Sequence, residues 1–247
     1  MGLQIADLKD DPIVRQTLKA FSEALSGDEG GGEADYPMPP VDDMPGVRAL
    51  LETDALDSVC AAVLSVGPLT HIISVDDIEK KLDPRVAETL RLLDGDATGG
   101  PEELLKAGNP HILKLLVASI AGSTDKDELR GMASHGDPME IKMMANDLSD
   151  FILAISEHMI DNGAVKDIPP KLMDKFIEGI GNLSAITPSR THKRVLTDIT
   201  RELKEAVVKA AAVEVTVLTA PPVIDPASPF EKLKNDARKF KPGGLNG

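Results

Sequence analysis

The sequence predicts an all-α protein, and three observations carry that expectation. Aromatic residues make up 2% of the chain and Trp is absent. The core must therefore be built from Leu, Ile, Val, Ala and Met, a set that suits packed helices better than sheets. Capping residues recur directly ahead of prolines, at Asp11-Pro12, Asn109-Pro110 and Asp137-Pro138, which is how a helix start is written. Behind those starts the apolar residues return at helical spacing.

Taken in order, Ile13, Val14, Leu18, Phe21 and Leu25 form an apolar stripe behind Pro12. "SVDDIEKKL" opens with Ser74 and Asp77 at capping-box spacing, with Asp in place of the usual Glu or Gln. "PEELLKAG" reads as a short helix closed by Gly108, and "HILKLLVASIAG" as the helix after Asn109-Pro110. The longest helix is expected from Pro138 to about Asn162-Gly163, with Ile141, Met144, Ala145, Leu148, Ile152, Ile155 and Met159 on its inner face. Two further helices, "KLMDKFIEGIGNLSAI" and "SRTHKRVLTDITRELKEAVVKAAA", are separated by Thr187-Pro188. "VEVTVLTA" (Val213 to Ala220) alternates as a strand does yet continues a helical pattern, so strand and helix both stay open. One strand cannot form a sheet, and the all-α expectation does not turn on it.

This order divides the chain into an N-terminal extension (1–11), a helical domain (12–212) and a C-terminal extension (213–247). Within the domain, residues 27–46 read as a flexible loop rich in Gly, Pro and acids. The C-terminal tail carries "FEKLKNDARKFKPGG", where Phe230, Leu233, Ala237 and Phe240 share a face beside Lys232, Lys234, Arg238, Lys239 and Lys241. It reads either as a solvated extension or as a peptide that docks a protein partner.

Charge narrows the function classes. With 27 Lys+Arg against 41 Asp+Glu the net charge is −14, the wrong sign for a general nucleic-acid binder. No apolar run reaches transmembrane length, and the start lacks the basic-then-apolar pattern of a signal peptide. "MGLQIA" has the Gly2 of a myristoylation site but Ala6 where Ser or Thr is needed. A single Cys60, flanked by apolar residues in "SVCAAVL", reads as a buried thiol in a reducing, cytoplasmic compartment. The five histidines are His71, His111, His135, His158 and His192. His71 and His111 sit in apolar contexts and read as packing residues. In "ASHGDPME", His135 and Asp137 are a weak pair, because Asp137 is already a helix cap. There is no H-E-x-x-H, P-loop, G-x-S-x-G or Cys-x-x-Cys. "GDEGGGE" is no phosphate cradle, since its acids repel phosphate. Asp147 and Asp150 lie three apart on one helix and read as a solvated face. No cofactor and no bound metal are expected.

One further pattern involves order and spacing. A helix ends in "AFSEALSG", a Gly-rich turn leads to "DYPMPP", and "DSVCAAVLSVGPLT" precedes "SVDDIEKKLDPRVAETLRLLDG"; "IKMMANDLSDF" comes much later. From about Thr17 to Ile155 this resembles the HD-type hydrolase domain of the RelA/SpoT homologues, which hydrolyse guanosine tetraphosphate. Ala24, Gly27, Tyr36 and Pro40 fall on that family's first motif, Ala61 to Thr70 on its "AALLHDVVEDT", and Met143 to Asp150 on its "KLADRLHN". The resemblance implies an HD-like helical bundle. It also implies that the reaction is lost, because the four positions that hold the family's metal carry Pro39, Ser65, Val66 and Asn146. Proline and valine offer no donor, and a hydroxyl or neutral amide binds a hard cation weakly. Gly30 and Gly31 replace the basic residues at the nucleotide, and Leu69 and Thr70 replace the acidic pair. A vestigial pocket would then be lined by Tyr36, Leu69, Thr70, Asp147 and Asp150. The expectation is a pseudoenzyme that binds, regulates or assembles with a protein partner, with Phe230, Leu233 and Phe240 as docking residues. Two alternatives stand beside it. One is a nucleotide-binding or metal-dependent phosphohydrolase with a relocated site, for instance at His135 and Asp137. The other is a structural component of a large assembly such as a virus particle.

Overall fold

The structure is a computed structural model that describes residues 5–26, 44–66, 75–94 and 101–219. Among these residues it is helical and contains no strand. After a 3-10 turn at Ile5–Leu8 come α1 (Pro12–Ser26), α2 (Pro45–Glu52), α3 (Ser58–Val66), α4 (Val75–Lys81), α5 (Pro84–Asp94) and α6 (Pro101–Lys106). Then follow α7 (Pro110–Ser123), α8 (Lys126–His135), α9 (Pro138–Asp161), a second 3-10 turn at Ala164–Asp167, α10 (Pro170–Ile186) and α11 (Arg190–Thr219). The chain divides into a unit of residues 1–210 and a second of 211–247, whose described residues, 211–219, are the helical end of α11.

The expected starts form for the expected reason. Asp11 Oδ1 accepts from the amides of Ile13 (2.8 Å) and Val14 (3.4 Å). Asn109 Oδ1 accepts from His111 and Ile112, and Asp137 Oδ1 from Met139. Each cap satisfies amides that have no partner inside the first turn. Helix α9 stops at Asp161, after which Gly163 turns left-handed at φ 63°.

Residues 213–219 are helix, which settles the segment left open between strand and helix: "VEVTVLT" extends α11. Three features differ from the sequence reading. With that extension α11, at 30 residues, is longer than α9 at 24. Helix α2 begins at Pro45, inside the segment expected to be loose, with Met44 extended ahead of it and Pro at the first turn. The inner face of α9 is Ala145, Ser149, Ile152, Ile155, Ser156 and Met159, whereas Ile141, Met144 and Leu148 are only half-buried. Ser149 can be buried because its hydroxyl donates to the Ala145 carbonyl at 2.6 Å, a bond local to the helix that needs no tertiary partner.

Two apolar clusters hold the first unit together. The larger takes Leu50 from α2, Ile112 and Val117 from α7, Ile152 and Met159 from α9, Leu172, Phe176 and Ile180 from α10, and Leu196 and Leu203 from α11. Full burial of each such side chain stabilises the fold by about 1.5–3 kcal/mol. The smaller joins Ala20, Val59, Ala62, Val63, Val66, Leu82, Val86, Ala87 and Leu90, from α1, α3, α5 and the turn between α4 and α5. Helix α3 serves both clusters: Cys60 and Ala61 enter the larger, while Val59, Ala62, Val63 and Val66 enter the smaller. An apolar residue on every side is what a helix buried all round requires. Helices α2 and α7 cross backbone against backbone, because a Cβ at Gly122 would stand 2.1 Å from the Pro45 carbonyl oxygen.

Candidate functional site

Four helices of the first unit begin beside one another, and their capping side chains form a connected polar junction. Asp11 precedes α1, Asp57 precedes α3, Asp83 precedes α5 and Asn109 precedes α7. Asp57 Oδ1 accepts from the Cys60 amide at 2.8 Å, and Asp83 Oδ1 from the Arg85 amide at 2.9 Å. The caps also reach across to neighbouring helices. Ser58 on α3 donates its hydroxyl to Asp11 Oδ2 at 2.7 Å. Asn109 Nδ2 donates to Thr89 Oγ1 on α5 at 3.3 Å. The Lys114 ammonium of α7 donates to Asp57 Oδ2, and His111 Nδ1 lies 3.5 Å from that same oxygen. Arg85 holds Asp83 with two side-chain bonds of 2.9 Å.

These contacts move the acids in one direction. The Ser58 hydrogen bond holds Asp11 below the usual carboxylate range, more strongly than burial opposes it. At Asp57 burial is the largest influence and pushes upward, yet the Lys114 bond, the Cys60 amide and the Lys114 charge together outweigh it and leave the acid lowered. Arg85 lowers Asp83. Cys60 moves the other way: burial, then the charge of Asp57, pushes its thiol far up. It is 0% exposed, so the buried thiol expected from sequence is what the structure contains, and it is no nucleophile. Yet the Cys60 sulfur, an Asp57 oxygen and a ring nitrogen of His111 all lie within 4.8 Å of one another, which could hold a metal ion. Sequence reasoning placed His111 among packing residues and did not single out Asp57 or Lys114. Only the three-residue steps Asp57–Cys60 and His111–Lys114, each one turn of a helix start, hinted at a shared face.

The positions implied by the HD resemblance have different surroundings. Val66 is 2% exposed within the smaller apolar cluster. Ser65 is equally buried, and its hydroxyl donates to its own helix at the Ala61 carbonyl, 2.7 Å away. Asn146 is on α9, half-buried, with its Oδ1 buried and unpartnered. Helix α3 packs on α1, α5 and α7, whereas α9 packs on α6, α7, α8 and α10, so α7 is their shared neighbour. No hydrogen bond joins Ser65 or Val66 to Asn146. Tyr36, Pro39, Leu69, Thr70, Phe230, Leu233 and Phe240 lie outside the described residues, as does His71. Asp137 caps α9; the side chain of His135 is not among those described.

Asp147 and Asp150 point to different neighbours. Asp150 Oδ1 lies 3.7 Å from His192 Nε2 on α11. Asp147 instead lines a shallow groove of about 430 Å³ on the outer face of α9, with Glu140, Met143, Met144, Leu148 and Phe151. Met139 and Met143 beside and within it are 60% and 56% exposed. Among the described residues, no helix is long and apolar enough to cross a membrane. No family model matches the chain, and neither a curated protein nor a solved structure does.

Proposed function

We propose that this chain is a non-catalytic, HD-like helical module that binds a protein partner through the outer face of α9. The groove formed by Glu140, Met143, Met144, Asp147, Leu148 and Phe151 carries the reading. Solvent-facing thioethers on a folded helix are a source of binding energy that the monomer leaves unused. Methionine adapts to many apolar shapes. The flanking Glu140 and Asp147, on a chain of net charge −14, favour a basic amphipathic helix as the partner. The lost reaction is supported by Val66 among apolar side chains and by the Ser65 hydroxyl turned into its own helix.

Two measurements test the two halves. Pure protein incubated with manganese and guanosine tetraphosphate should give no hydrolysis; turnover abolished by Asn146→Ala overturns the pseudoenzyme reading. A synthetic amphipathic helix of Leu and Lys should bind the wild-type chain and lose that binding to Met143→Glu. Equal binding of the same peptide with Glu in place of Lys overturns the groove assignment.

A further inference from the structure

We propose that Asp57, Cys60 and His111 bind one zinc ion at the helix junction. The three donors already lie within 4.8 Å of one another. Ligand atoms on a tetrahedral zinc are about 3.3–3.7 Å apart, given metal–ligand bonds of about 2.0–2.3 Å. His111 Nδ1 and Asp57 Oδ2, at 3.5 Å, meet that separation, so the sulfur needs to approach by at most about an ångström. Three protein donors leave a fourth position to water, and a thiolate with an imidazole selects zinc over magnesium or calcium. The site is reachable from solvent, since the side chains of His111 and Asp57 are 20% and 34% exposed although Cys60 is enclosed. It is separate from the positions of the HD resemblance: Asp57 and Cys60 stand at the start of α3, Ser65 and Val66 at its end.

The exchange balances simply. Zinc replaces the thiol proton of Cys60, forming a zinc–sulfur bond and releasing one proton to solvent. The Lys114 ammonium, bonded to Asp57 Oδ2, is the competing cation. It must swing away on its flexible stem for the oxygen to reach the metal, so Lys114 weakens the site.

Cys60 is the only cysteine in the chain, which makes the test unambiguous. The reduced, metal-stripped full chain is titrated with cobalt(II) and then with zinc. The expected result is a near-ultraviolet sulfur-to-cobalt absorption that saturates at one ion per chain and is abolished by zinc. The band should vanish in Cys60→Ala, need about tenfold more cobalt or more in His111→Ala, and need less in Lys114→Met. Circular dichroism confirms that each variant is folded, and Cys60→Ser replaces Cys60→Ala if the latter is not. Cobalt binding without the sulfur band overturns the proposal, and so does a band that His111→Ala leaves unchanged. Neither result bears on the groove of α9, which the Leu–Lys peptide tests separately.

Discussion

At the starts of α1, α3, α5 and α7, Asp11, Asp57 and Asp83 are each matched by a hydroxyl, an ammonium or a guanidinium as well as a backbone amide. On the outer face of α9, Met139 and Met143 face solvent with their apolar surface uncovered. Within the junction, the Asp57–Lys114 pair is held where removing one side chain leaves the other largely buried and unpaired, which is costly to the fold. Met139 and Met143 hold surface whose removal costs the fold almost nothing. Charged clusters attract the eye as sites, yet here the charges serve architecture first, and the unspent interaction energy lies on the apolar face.

The sharpest way to break this contrast is to compare the two sides of α9. Ile152→Ala, on the fully buried side, should cost about 2–5 kcal/mol in denaturant unfolding. A cost near zero means that α9 is not anchored as described. At the junction, Asp57→Ala removes the cap and strands Lys114, for about 1–3 kcal/mol. It should also flatten the acid limb of the stability curve. Asp57 is held below its ordinary value, so its contribution is fully present above the usual carboxylate range and is lost as pH falls through the lowered value. Thermal melts between about pH 6 and 2 should therefore show wild type losing stability that Asp57→Ala never had; parallel curves refute the pairing. Met143→Glu, on the open side, should change stability by no more than about 0.5 kcal/mol, and a larger loss shows that something in the chain covers this face. Smallest in effect on the fold is labelling of Cys60. A thiol-directed reagent should leave it untouched in the native, metal-free chain and react fully once guanidinium unfolds it, because burial keeps the thiol protonated.

Where the determinants are local, the sequence was readable. Asp11, Asn109 and Asp137 cap helices because a short polar side chain ahead of a proline has few other conformations to adopt. The Gly163 end of α9 is of the same kind. The inner face of α9 includes Ser149 and Ser156, which a hydrophobicity stripe passes over; Ser149 can be buried because its hydroxyl bonds its own helix. "VEVTVLT" stayed undecided because its β-branched alternation competes with the α11 pattern running into it, and the longer helical pattern wins. The junction was out of reach for another reason: Asp57 and His111 are far apart in sequence, and no spacing rule records which helix starts will meet. The groove was not legible: the helical stripe places Met144 and Leu148 on the inner face of α9, whereas both line the groove beside Met143. Their exposure depends on which helices flank α9.

The glycine contact between α2 and α7 has a consequence for synthesis. Backbone meets backbone there only after residues 110–123 exist, more than fifty residues after α2 has been made. Until α7 leaves the ribosome, Val47, Ala49 and Leu50 of α2 lack the helix that α2 packs on most. A nascent chain stalled in the segment before α7 would present that apolar face to chaperones, with the crossing closing only once the second helix arrives.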